Sequence, residues 1–227
     1  MCIGLAKNTG KMAQRQIQRE SDKNKDTEYS IYVPSLGLNI GKKRNLLDVE
    51  WNDQQLYLHT LGLRIPTLYE NAEFLRYLYE NSDNPEYKQI FDDITKQRNP
   101  YRAENFDAYF ETVKEKKYIS YHIFDSQGRI QKVTEPLEKC LMQNRLPGID
   151  LEEYLLNHTH QGLPKINIKK GRVFYRCPED CTVARFGAGP KGTDLFCVYP
   201  RYSDNELGVR AVAQADKTHL NKFSFIT

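Results

Sequence analysis

The sequence predicts a single α+β domain, and three observations lead to that fold class. Two helical stretches come early, between residues 51 and 83. Short strand-like runs come late, between residues 172 and 212, and long loops lie between the two regions. Helices and strands that are segregated along a chain are typical of α+β folds, here with a small mixed or antiparallel sheet. At 227 residues the chain is long enough to bury one good core.

The two early helices are joined by the segment Gly62-Leu63-Arg64-Ile65-Pro66-Thr67. An apolar stripe that includes Trp51 predicts the first helix, and Gly62 can adopt the positive φ that ends it. Thr67 with Glu70 forms the pattern of a capping box, which predicts the start of the second helix. This segment therefore predicts a helix, a short extended piece and a second helix.

The other predicted elements follow from turn residues and hydrophobic periodicity. They are a strand at 30–33, a helix that begins at 85 and ends before 99, a hairpin of 118–124 with 129–133, a short helix that begins at a capping box at 150, and strands at 173–175, 183–186, 195–199 and 207–212. Residues 101–110 are aromatic-rich and predicted to be irregular, 146–148 are predicted to be a turn, and 187–192 a connecting loop.

Two separated stretches resemble one known family. Val49-Glu50-Trp51-Asn52-Asp53, followed by the Gly62 to Thr67 segment and Glu70, resembles the V-x-W-x-D … G-x-R-L-P-T-x-x-E pattern of the formylglycine-generating enzymes. The stretch from Ser203 to Arg210 resembles that family's closing S-x-x-x-G-F-R strand, with Val209 where an aromatic residue is usual. The resemblance implies a C-type lectin-like fold of this subtype, with two early helices, a small mixed or antiparallel sheet and long loops.

The domain organisation is expected to be simple. Residues 1–26 are polar and are predicted to be a disordered arm, because so polar a stretch cannot offset its ordering entropy. Residues 27–227 are predicted to be one C-type lectin-like domain with an inserted segment at about 85–161. No secretory signal is visible, so the cytoplasm is the default compartment, with surface or virion display as the alternative.

Composition limits the classes of partner that are expected. A net charge of +3 is too small to indicate nucleic-acid binding, and no apolar window is long enough to span a membrane. A protein or another macromolecular ligand is the expected partner. No nucleotide-binding or hydrolase motif is present, and His59 and His122 are expected to be structural because each lies within a predicted helix or strand.

The cysteines offer the main catalytic alternative. The formylglycine-generating enzymes bind copper with a C-terminal cysteine pair, so the resemblance points to Cys177 and Cys181 and to a copper oxidase acting on a peptide cysteine. Cu(I) prefers soft thiolates. However, the family's cysteines are separated by four residues and these by three, which on a strand turns the second side chain to the opposite face. A zinc site that adds Cys197 lacks an evident fourth ligand. No catalytic residue, metal or cofactor is therefore predicted, and an enzyme is the less favoured hypothesis.

The preferred hypothesis is a recognition protein. The same family subtype includes the variable proteins of diversity-generating retroelements, which keep the scaffold and randomise a C-terminal ligand-binding face. The C-terminal region here carries an assorted set of aromatic, charged and thiol side chains, and aromatics and arginines commonly anchor binding sites. The predicted ligand-binding residues are Tyr175, Arg176, Cys177, Asp180, Asp194, Phe196, Tyr199 and Arg201. The alternative left open is an ordinary set of strands and loops with no such face.

Overall fold

The computed structural model describes residues 26–215 and residue 223. Four helices are formed in this part of the chain: α1 (Trp51–Thr60), α2 (Leu68–Glu80), α3 (Pro85–Thr95) and α4 (Leu151–Asn157). The strands are β1 (Ser30–Val33), β2 (Leu38–Gly41), β3 (Arg102–Val113), β4 (Lys116–Phe124), β5 (Ile130–Pro136), β6 (Arg145–Ile149), β7 (Val173–Tyr175), β8 (Thr182–Gly189), β9 (Gly192–Val198), β10 (Leu207–Gly208) and β11 (Val212–Gln214). The α+β class is therefore confirmed.

The strands form two sheets. A three-stranded antiparallel sheet has the order β1-β2-β11. An eight-stranded mixed sheet has the order β5-β4-β3-β8-β9-β7-β6, with β10 paired in parallel to β3. The central pairs β4-β3, β3-β8 and β8-β9 are antiparallel, and β7-β9 is parallel. Within the described residues, no helix combines the length and the apolar character needed to cross a membrane.

The large sheet is covered on both faces, because alternate residues of its central strands enter two different hydrophobic clusters. The large cluster contains Phe186 of β8 and Leu75 of α2, together with residues of α3 and α4. The small cluster contains Val183 of β8 with Trp51 and Leu58 of α1. The helices α2, α3 and α4 thus pack on one side of the molecule, and α1 packs on the other.

The helix pair follows the sequence prediction closely. Gly62 has a φ of +68° after the end of α1. The capping box is present: the Thr67 hydroxyl accepts from the Glu70 backbone N–H, and the Glu70 carboxylate accepts from the Thr67 backbone N–H. At α4 only half of the expected box forms, because Asp150 caps the Glu153 backbone N–H while the Glu153 carboxylate accepts from the backbone of Lys169.

The two stretches that carry the family resemblance meet in space. Leu63 and Ile65 of the first stretch lie in the small cluster with Val209 of the second. Just beyond the second stretch, Val212 forms an isolated antiparallel bridge with Arg64, with N···O distances of 3.2 and 2.8 Å. Each stretch also contains a buried arginine. Arg64 makes a bidentate pair with Glu70 at 2.6 and 2.5 Å, and Arg210 makes one with Glu104 at 2.9 and 3.0 Å. Both stretches therefore belong to one framework.

Three local predictions were wrong. Residues 101–110 are not irregular, since they contain most of β3, the strand at the centre of the large sheet. The expected turn at 146–148 lies inside β6, and part of the expected loop at 187–192 belongs to β8 and β9. Tyr101 explains the glycines there, because a Cβ at Gly187 or Gly189 would lie 2.2 or 2.7 Å from its side chain.

The predicted domain boundaries lie only partly within the described residues. Residues 1–25 of the expected arm lie outside the described residues. Asp26 is tied to the domain, since its carboxylate accepts from the Tyr32 backbone N–H at 2.9 Å and from the Tyr87 hydroxyl at 2.7 Å. The segment 85–161 supplies β3, β4, β5 and β6 to the large sheet and is an integral part of it.

Candidate functional site

A groove of about 800 Å³ runs along α1 in the described part of the chain. We call it the α1 groove. Helix α1 forms one side, strands β3, β4 and β5 form another, and the segment after β9 closes one end. Its lining residues are Trp51, Asn52, Gln55, Leu56, His59, Tyr109, Ser120, His122, Lys132, Cys181, Tyr199, Pro200 and Arg201.

The side of the groove that α1 forms follows from the spacing of three residues along the helix. Trp51, Gln55 and His59 are four residues apart, so they lie along one face of α1. Eight residues of α-helix rise about 12 Å, which gives the approximate length of the groove floor. The backbone N–H of Trp51 donates to the Pro200 carbonyl at 3.1 Å. This bond places Arg201, the next residue, at the N-terminal end of the groove.

The strand side of the groove follows from the register of the sheet. Ser120 and His122 alternate on one face of β4, where Tyr109 of β3 lies opposite Ser120 and Lys132 of β5 lies opposite His122. The Tyr109 ring stacks on Trp51, with ring centres 6.3 Å apart and an angle of 23°. Lys132 and His122 therefore stand together at the end of the groove that is farther from Arg201.

His122 is held by a buried carboxylate. The side chain of Asp107 is fully buried and accepts from the His122 backbone N–H at 2.7 Å, while its Oδ2 lies 3.0 Å from His122 Nδ1. This carboxylate favours the proton on Nδ1 and so fixes the orientation of the ring. Burial raises the pKa of Asp107, and the contact with His122 offsets part of that effect. The irregular register of β3 between Asn105 and Tyr109 puts Asp107 in this position.

His59 is kept neutral by its surroundings. Its ring meets His122 edge to face, with centres 4.8 Å apart. Burial lowers the pKa of His59 to about 4, with smaller contributions from the charges of His122 and Arg64. Its Nε2 is buried and has no hydrogen-bond partner among the described residues. At neutral pH the His59 ring is therefore uncharged, and it brings to the groove a polar atom without a hydrogen-bond partner in the described structure.

Gln55 is the most unusual group in the α1 groove. It is only 6% exposed, yet neither the nitrogen nor the oxygen of its carboxamide has a hydrogen-bond partner in the described structure. Its neighbour Gln54 is also buried, but donates to the Leu46 carbonyl at 2.9 Å and accepts from Asn105 at 2.7 Å. A buried amide without partners costs free energy, so Gln55 marks a place where a ligand can bond.

The charge of the groove is positive. Lys132 and Arg201 line it, and neither makes an ion pair within residues 26–215. None of the lining residues in this described range is a carboxylate. The rim also exposes apolar surface, since Leu56 is 66% and Tyr199 is 70% exposed. The arrangement is suited to an anionic ligand with an apolar portion.

The predicted ligand-binding residues do not form one surface. Tyr199 and Arg201 line the α1 groove. Tyr175 is 2% exposed and donates its hydroxyl to the Leu141 carbonyl at 2.8 Å, so it belongs to the interior and cannot present a contact surface. Asp180 is exposed and accepts from the Thr112 backbone N–H at 2.5 Å.

Three further predicted residues are Arg176, which directly follows β7, and Asp194 and Phe196, which lie on β9. Arg176 is exposed and Asp194 is half-buried; burial raises the pKa of Asp194, and the charge of Arg176 opposes this. Phe196 lines a separate cavity of about 230 Å³ with Tyr101 and Arg185. These side chains are therefore dispersed beyond the α1 groove.

Cys177 lies close enough to Cys140 and Cys197 for their charges to interact, whereas Cys181 has different surroundings. Cys177 is half-buried against the large cluster, whereas Cys181 is exposed and lines the α1 groove beside Tyr109. Burial raises the pKa of Cys197 to about 12, which disfavours the thiolate that zinc requires. No group of three potential metal ligands among histidine, cysteine and acidic residues is found in the described range. The geometry supports neither the copper pair nor the three-thiolate zinc site.

Sequence reasoning missed the central groups of the groove. The sequence predicts structural roles for His59 and His122 and does not single out Gln55. Asp107 lies in the stretch predicted to be irregular. The spacing of Trp51, Gln55 and His59 was visible as a polar and aromatic stripe on α1. The contact between Asp107 and His122 could not be found in this way, because it depends on the register of β3 and β4.

Comparisons of this chain with protein-family models, with curated proteins and with solved structures find no match.

Proposed function

We propose that this chain is a non-enzymatic recognition protein that binds its ligand in the α1 groove. The observation that carries the proposal is the Gln55 carboxamide, which is buried at the groove with both polar atoms unused. A bound ligand would supply the missing hydrogen bonds. Aromatic walls around a few polar groups are typical of ligand sites, and about 800 Å³ lies within their usual size range.

The proposal includes a C-type lectin-like scaffold of the formylglycine-generating-enzyme subtype and a variable C-terminal face, as in the variable proteins of diversity-generating retroelements. Two observations support this part. Leu63 and Ile65 of the first motif stretch pack with Val209 of the second, and the C-terminal region reaches the groove with Tyr199 and Arg201. The copper-oxidase alternative gains no support, since Cys177 and Cys181 pack in different surroundings.

A thermal-shift screen tests groove binding. Collections of metabolites, glycans and peptides are screened against the wild type and the Gln55→Leu variant, since a ligand that binds only the folded state raises Tm. We expect at least one compound to stabilise the wild type and to have a much smaller effect on the variant. Compounds that stabilise both proteins equally, or no stabilising compound at all, would contradict the proposal.

Natural copies of the gene test the variable face. We expect substitutions to concentrate at adenine-containing codons, with Tyr199 and Arg201 among the varied positions, and to spare Thr67 and Glu70 of the capping box. A nearby template repeat and a reverse-transcriptase gene are the expected companions. An even spread of substitutions with no template repeat would remove the retroelement part of the proposal and leave the groove binding intact.

A further inference from the structure

We infer that the partner recognised by the α1 groove is an extended acidic peptide segment with the pattern acid–x–apolar–x–acid. The inference rests on the proposed function and specifies the chemistry of its ligand. Three features carry it: the distance between two cations that make no ion pair within the described residues, the match of this distance to the side-chain alternation of an extended chain, and the unused amide between the cations.

The first feature is the distance between the cations. Arg201 follows Pro200, whose carbonyl accepts from the Trp51 backbone N–H at the start of α1. Lys132 is paired with His122, which contacts His59 near the end of α1. The two cations therefore stand at opposite ends of a groove about 12 Å long. An extended chain covers that length in about four residues, at about 3.3 Å each.

The second feature is the match between this spacing and the alternation of an extended chain. Side chains at positions i, i+2 and i+4 of an extended peptide lie on the same side. Two carboxylates at i and i+4 can thus reach Arg201 and Lys132 together. The side chain at i+2 then lies at the middle of the groove, near the exposed Leu56.

The third feature is Gln55, which lies midway between Trp51 and His59 on α1. Its carboxamide has a free donor and a free acceptor, the complement of one peptide unit. A backbone amide of the ligand can satisfy both atoms, whereas a compact diacid has no donor to offer at the centre. A peptide is therefore a better match than a small dianion.

The test is a selection from a random-sequence peptide library displayed on phage, with the full chain as the target. Selected peptides are then synthesised with a fluorescent label, and their Kd values are measured by anisotropy. We expect enriched sequences to carry two acidic residues four positions apart with an apolar residue between them. Arg201→Glu and Lys132→Glu should each weaken binding by about tenfold.

Charge exchange and a matched control sharpen the test. Replacing one peptide acid by lysine should weaken binding to the wild type and restore it to the Arg201→Glu variant. Lys165→Glu, an exposed charge change outside the groove, should leave Kd unchanged. A linear dicarboxylate of similar length should compete much more weakly than the peptide.

The exposed side chain of Tyr199 separates failure of the inference from failure of the proposed function. Peptides that lose affinity for Tyr199→Ala occupy the groove. If such peptides carry no acidic pair, or bind Arg201→Glu and Lys132→Glu as tightly as the wild type, the acidic-peptide inference is wrong while groove binding stands. If no selected peptide depends on Tyr199, the inference is also overturned, and the thermal-shift screen decides the proposed function separately.

Discussion

The two sides of helix α1 treat buried polar groups in opposite ways. Beneath the helix, Gln54 bonds to Asn105, which in turn accepts from the buried guanidinium of Arg185. We call these three residues the polar junction. On the groove side, Gln55 and His59 bring buried polar atoms that have no partner in the described structure.

The difference separates structural from functional polarity. Polar groups of the junction are used within the chain and help to fix α1 against β3 and β8. The buried polar atoms that Gln55 and His59 bring to the groove make no hydrogen bond in the described part of the folded chain, so they cost free energy as long as no ligand is bound. Proteins commonly accept such costs at binding sites, so the contrast between neighbouring residues is the strongest functional signal in this structure.

The largest expected effect comes from breaking the polar junction at its centre. Asn105→Ala leaves Gln54 Oε1 without its partner and removes one hydrogen bond of Arg185, both of which are buried. We expect a loss of about 3 kcal/mol of unfolding free energy in urea titrations. Asn52→Ala, an exposed change on α1, should alter stability by less than about 0.5 kcal/mol. Similar values for both variants would show that the junction is not a stabilising element.

The next effect comes from Gln54. Gln54→Leu keeps the volume but removes bonds to Leu46 and Asn105. We expect it to destabilise the protein by about 1–2 kcal/mol, because buried polar partners are left unsatisfied. Chemical denaturation measures this loss, and a neutral result would mean that the two bonds are replaced by solvent.

Gln55→Leu should act in the opposite direction. The substitution removes a buried amide that lacks partners, so we expect unfolding free energy to rise by about 1 kcal/mol. Differential scanning calorimetry of the ligand-free protein checks the sign. If this variant is as destabilised as Gln54→Leu, the buried amides on the two sides of α1 contribute to stability in the same way.

The last expected effect is a pH dependence from His59. The unfolded chain binds a proton on this ring near pH 6.5, but the folded chain binds it only near pH 4. The unfolded state therefore carries more protons between these values, so unfolding free energy should fall as pH drops from 6.5 to 4 and stay level above this range. His59→Leu should show a shallower fall over the same window. Equal slopes in urea titrations at each pH would exclude His59 as the source.

Local signals in the sequence were sufficient for the helices. The capping box at Thr67 and Glu70 and the proline at the start of α3 depend on neighbouring residues, and both are present as expected. The β4-β5 hairpin was likewise visible from the turn at Asp125, whose carboxylate accepts from the backbone of Gln127 and Arg129.

Strand β3 could not be predicted for a physical reason. It is buried on both faces, yet it carries Arg102, Glu104, Asn105 and Asp107, so no alternation of apolar and polar residues is present. These groups are neutralised by partners distant in sequence, such as Arg210 for Glu104. The groove was missed for the same reason, because its two walls come from α1 and from strands whose register was unknown.

The bridge between Arg64 and Val212 has a consequence for how the molecule is made. A nascent chain that has emerged only as far as α4 holds β3 without its neighbour β8, and β2 without β11. Such long-range pairings slow folding and delay cooperative closure. The early helices can form as the ribosome produces them, but the bridge of Arg64 cannot form until Val212, two residues after the second motif stretch, has been translated.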